Sequence, residues 1–89
     1  MNEGVVTQLR DEITALDRRL VETINRRLEV VRRLHDHKLD HDIPLRDAAR
    51  EESMIRLLAG ENRGPLSEDG LVGLYRYVLD LTRRELHGA

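Results

Sequence analysis

The sequence predicts an all-α protein with three helices per chain and a long first helix, assembled as an interlocked homodimer. Three observations support this. Apolar residues recur at spacings of three and four, with no period-two stretch that would mark a strand. No Pro or Gly interrupts Val5 to Leu39. Two later segments each open on a capping residue, and the first of them ends at a loop signal.

The first helix is expected over about residues 5–39. Val6, Leu9, Ile13, Leu16, Leu20, Ile24, Leu28 and Val31 fall on one helical face. The helix should stop at DHDIP, because the residue before a proline is pushed out of the helical region. A second helix is expected over about 48–59, with Asp47 as N-cap and Gly60 as the stop. GENRGPL reads as a loop. A third helix is expected over about 67–86, started by Ser67, with Glu68 and Asp69 favourably placed near its positive end. Its apolar positions include Leu71, Leu74, Val78 and Leu81.

The homodimer follows from size. The chain has 89 residues and no Cys, Phe or Trp. It is one domain (residues 1–89) with few of the side chains that enlarge a small core. A helix of 35 residues is roughly 50 Å long. A globule of this chain length is only about 30 Å across. Such a helix breaks, leaves a loose end or meets a partner chain; with no breaker residue inside it a partner is expected, and a second copy supplies one.

Charge and composition exclude several function classes. Fifteen Lys+Arg against seventeen Asp+Glu give a net charge of −2, and there are two aromatic residues, both Tyr. A nucleic-acid binder would show a basic excess, often with stacking aromatics. The polar, partly acidic start MNEGVVTQLRDE lacks the pattern of a signal peptide, and no segment is apolar enough to span a membrane. The expectation is a cytoplasmic protein with no nucleic-acid or membrane partner.

A helical wheel separates the cations of the first helix into two groups. With Ile13 at zero, Arg18, Arg19, Arg26, Arg32 and Arg33 lie about 100° or more away and form a solvated face. Arg27 lies about 40° and Lys38 about 20° from the centre of the apolar arc, with Arg10 at its edge near 60°. A cation on a buried seam is costly unless paired. It is either half of an ion pair, with Asp17 on the same arc a candidate, a stem that snorkels to water, or part of an anion pocket. Arg27 and Lys38 are roughly 16 Å apart along the axis, close enough to hold a small ligand between long side chains. Arg10, roughly 25 Å from Arg27, would have to come from an antiparallel partner chain. Arg46, Asp47, Arg50 and Glu51 add charge after the turn. Such a set suits a small dicarboxylate bearing a hydroxyl, because the guanidinium fork binds both oxygens of a carboxylate.

LRDEITALDRRLVETINRR, then Lys38, then IPLRDAAREE, resembles the all-helical (type II) chorismate mutase family. The specific parts are L-R-x-x-I-x-x-L-D, R-R with a Lys eleven residues after its second Arg, and R-D-x-x-R-E. The resemblance runs from about Leu9 to Leu81. It implies a dimer of three-helix chains in the shikimate pathway, within aromatic amino acid biosynthesis. The implied reaction is the Claisen rearrangement of chorismate to prephenate, with no cofactor and no metal. Such a reaction needs the substrate held in its compact conformer and charge stabilised where the ether bond breaks. By resemblance, Arg27, Arg50 and the partner's Arg10 hold the two carboxylates, and Lys38 donates to the ether oxygen. Glu51, with the Asp47 region, orients the ring hydroxyl. Arg46 belongs to the motif without an assigned role.

The third helix departs from the family pattern. Thr82 fits a small hydroxyl position, but the polar residue expected four places later is Leu86. Either Glu85 substitutes, in which case it must be protonated to donate and activity should rise at lower pH, or the contact is missing. A missing donor implies a weak isolated enzyme, activated by the synthase that opens the shikimate pathway. Isochorismate-pyruvate lyase, aminodeoxychorismate mutase and a non-catalytic helical dimer or regulatory subunit are the alternatives. His37 and His41, four apart, read as a surface polar patch in preference to a metal site, and His35 as a packed residue.

Overall fold

The computed structural model describes residues 2–87, with the side chain of His87 excepted. It contains three helices, α1 (Asn2–Asp40), α2 (Ala48–Glu61) and α3 (Glu68–His87), and no strand among the described residues. The all-α architecture with a long first helix is as expected. The chain divides into two compact units, Met1–Arg33 and Leu34–Ala89, and each is described by itself.

In the first unit, α1 begins at Asn2, earlier than Val5. Gly4 at a helix end does not break it, and Glu3 in the first turn complements the helix dipole. The apolar stripe from Val5 to Val21 is open. Val5, Val6, Leu9, Ile13, Leu16, Leu20 and Val21 are between 41% and 60% exposed. Ile24, Arg27, Leu28 and Val31 are half-buried, at three- and four-residue spacing, whereas Arg18, Arg19, Arg26, Arg32 and Arg33 are exposed.

In the second unit, α1 ends in a Schellman cap. The N–H of Ile43 donates to the carbonyl of Lys38 at 2.8 Å and that of Asp42 to Leu39 at 3.5 Å. Asp42 takes the left-handed conformation, φ 55°, that glycine usually supplies here. The stop therefore lies in this cap, with Pro44 just beyond it. His41 Nδ1 donates to the carbonyl of His37 at 2.8 Å, and the two rings stack 4.1 Å apart.

Asp47 caps α2, its side chain accepting the N–H of Arg50 at 3.0 Å. Gly60 does not stop this helix. α2 continues to Glu61 and ends at Asn62, whose backbone is extended and whose N–H donates to Leu58. Asn62 does the work expected of the glycine. Its Nδ2 donates to Leu66 at 2.7 Å, and its Oδ1 accepts the N–H of Gly64 at 3.0 Å. The positive φ that the turn requires sits at Gly64. Ser67 Oγ accepts the N–H of Gly70 at 3.0 Å, as expected of the α3 N-cap.

α2 and α3 pack on each other. Ile55 on α2 is the buried apolar side chain among the described residues, and Thr82 on α3 is the buried polar one. Met54, Leu58, Leu71, Tyr75, Val78 and Leu79 are half-buried. Arg76 and Arg83 of α3 tie to Glu52 and Glu51 of α2 at 3.2 and 3.0 Å.

Candidate active site

The second unit gathers charged residues where the end of α1 meets the start of α2. Lys38 is fixed through both backbone and side chain. Its carbonyl accepts from Ile43 and, at 3.3 Å, from His41, closing the cap. Its Nζ donates to the carbonyl of Leu45 at 3.3 Å. The side chain is half-buried, so the ammonium lies against the segment that leads into α2. Three charged residues then follow at the start of α2: Asp47 caps the helix, and Arg50 and Glu51 lie in its first turn.

Glu51 is the hub of the charges whose contacts are defined. Arg46 Nη2 donates to its Oε1 at 3.5 Å and Arg83 Nη1 to its Oε2 at 3.0 Å. Arg83 Nη2 donates in turn to Asp80 Oδ1 at 2.7 Å. The Arg83 guanidinium is held above its ordinary pKa chiefly by that hydrogen bond to Asp80. Burial opposes the shift, and the negative charge of Glu51 adds to it. Arg83 is not among the site residues expected from the sequence. The signal for it was its i,i+3 spacing from Asp80 on α3, which marks a local ion pair but does not reveal that the second arm of the fork reaches another helix.

Arg50 is exposed, its N–H committed to the Asp47 cap. Thr82 is buried and its hydroxyl donates to the carbonyl of Val78 at 2.7 Å. Leu86, one turn further along α3, is half-buried, while Glu85 is exposed. Arg10 and Arg27 belong to the first unit, Arg10 exposed and Arg27 half-buried. An apolar groove of about 370 Å³ in the second unit is lined by residues such as Leu58, Leu66, Leu74 and Tyr75. None of the expected site residues lines it.

Comparison with known protein families matches residues 9–86 to the family described as chorismate mutase type II. The chain belongs to the type II chorismate mutase family. Neither the curated proteins nor the solved structures give a significant match. Membership spans all three helices and includes Arg10, Arg27, Lys38, Arg46, Asp47, Arg50, Glu51, Thr82 and Glu85. The chorismate mutase type II match thus covers residues of both units. No described helix is long and apolar enough to cross a membrane. Among the described residues, no three His, Asp or Glu side chains are grouped to hold a metal ion.

Proposed function

We propose that this protein is a chorismate mutase acting as a homodimer and converting chorismate to prephenate. The reading is carried by the fixed position of Lys38 beside the charged first turn of α2, together with family membership. In the rearrangement the ether C–O bond breaks as a C–C bond forms within the same molecule. No group is transferred to the protein, so its residues act by selecting a conformer and stabilising charge.

In this reading Lys38 donates to the ether oxygen, where negative charge develops. An ammonium whose stem is already held loses little freedom on meeting the substrate. Arg27, Arg50 and Arg10 of a second copy hold the two carboxylates. Glu51 accepts a hydrogen bond from the ring hydroxyl and so orients it, with Asp47 close by in sequence and Arg46 holding one carboxylate oxygen of Glu51. An acceptor at this point suits the ring hydroxyl of chorismate, and family membership is the reason for preferring chorismate as substrate. The open stripe of α1 is covered by the second copy, which brings Arg10 with it.

The third helix limits the rate. Leu86 supplies no donor. Glu85 replaces it when protonated, or a synthase of the shikimate pathway compensates by binding. The experiment that tests the function follows loss of chorismate absorbance with purified protein and identifies the product. Prephenate formation is expected. No turnover across a pH range, alone or with the synthase, would sink the assignment, while pyruvate release would point to the lyase.

A further inference from the structure

We propose that Arg83 is a positioning residue: it clamps the Glu51 carboxylate so that Glu51 meets the substrate's ring hydroxyl in one orientation. This rests on the mutase reading above.

Arg83 Nη1 donates to Glu51 Oε2 on α2 at 3.0 Å, and its Nη2 donates to Asp80 Oδ1 on α3 at 2.7 Å. One planar group is thus held at both ends by carboxylates on two helices. A planar donor pinned at its far side presents its near side in a fixed direction. Arg46 reaches the other oxygen of Glu51 at a longer 3.5 Å. A carboxylate has about four acceptor positions, so two guanidiniums restrain Glu51 and still leave it able to accept from a ligand.

A second ion pair between the same helices provides an internal control. Arg76 donates to Glu52 at 3.2 Å, one residue along α2 from Glu51. The Arg76 and Glu52 side chains are 56% and 52% exposed. Those of Arg83 and Glu51 are 38% and 22% exposed. If these arginines only fastened α3 to α2, the two pairs would be equivalent in kind. Only the inner pair restrains a residue that the mutase reading places against substrate.

The test compares Arg83→Met, Arg83→Lys, Asp80→Asn and Arg76→Met in the full chain with the unaltered protein. Each is assayed on chorismate and on an analogue lacking the ring hydroxyl, with helicity checked by circular dichroism. Arg83→Met should lower kcat/KM for chorismate by about tenfold, as expected for loss of a charged hydrogen bond. It should leave the rate on the analogue unchanged. Asp80→Asn should cause a smaller loss of the same kind, and Arg76→Met none. Arg83→Lys keeps the charge but not the fork and should fall between Arg83→Met and the unaltered protein. It carries the test if Arg83→Met does not fold. Equal effects of Arg83→Met and Arg76→Met, or equal losses on both substrates, would overturn the proposal while leaving the mutase reading intact. No turnover of chorismate by the unaltered protein would overturn both.

Discussion

The first unit leaves Val5 to Val21 open along α1, whereas the second buries Ile55 on α2 and Thr82 on α3 to 7% exposure. In the second unit α2 and α3 pack on each other and bury Ile55, while Leu57, Leu66 and Leu74 stay exposed. In the first unit one helical stripe of similar character is not satisfied among the described residues. The contrast teaches that amphipathic period alone does not say where a stripe is buried. In the second unit Lys38 is held by the carbonyl of Leu45 and Arg83 by the carboxylates of Glu51 and Asp80. In the first, Arg27 is half-buried beside apolar Leu28 and Val31, on the face the proposal assigns to a second copy and a substrate.

The largest effect should come from charging the open stripe. Ile13→Asp would place two unpaired carboxylates in a dimer interface, at a cost of several kcal/mol each. Light scattering should then show monomer in place of dimer. If Ile13→Asp stays dimeric, the stripe is not the interface.

Arg27→Ala comes next. Loss of a transition-state contact to a substrate carboxylate should lower kcat about 100-fold or more, with the dimer retained. Loss of the dimer itself would instead support a non-catalytic role, in which Arg27 is an interchain ion pair. In the second unit, Ile55→Ala should cost about 2 kcal/mol or more of stability. That loss should be read equally at low and high protein concentration, because the packing is intrachain, whereas stability changes in the stripe should depend on concentration.

Smaller effects follow on α3. Leu86→Gln should raise kcat/KM about tenfold by supplying the absent donor. Steady-state kinetics checks it, and an unchanged rate would show that this position does not limit turnover. Ser67→Ala should destabilise by about 1 kcal/mol through loss of the α3 N-cap, read as a lower urea midpoint, with kinetics unaltered.

Much of this was legible in the sequence, for local reasons. Cap residues Asp47 and Ser67 act through hydrogen bonds within three residues, and such contacts can be read from spacing. The wheel separated the exposed Arg18, Arg19, Arg26, Arg32 and Arg33 from half-buried Arg27 and Lys38 by helical phase, although Arg10, Leu9, Ile13 and Leu16 on the same arc are exposed. Errors arose where one residue took over another's usual role. Asp42 adopts the left-handed cap conformation expected of glycine, and Asn62 ends α2 after the helix has run through Gly60. Arg83 was missed because its contact to Glu51 joins residues 32 apart in the chain. Helical phase places a side chain on a face but does not say which residue of another helix it meets.

The central claim is a site completed by two copies, with Arg10 from one chain and Lys38 from the other. Mixing Arg10→Ala and Lys38→Ala proteins, each inactive alone, tests it most directly. A hybrid dimer then carries one intact site and one doubly damaged site. Random exchange should restore about one quarter of the unaltered activity. Activity no greater than that of either variant alone, with hybrid formation shown by mass spectrometry, would contradict the account.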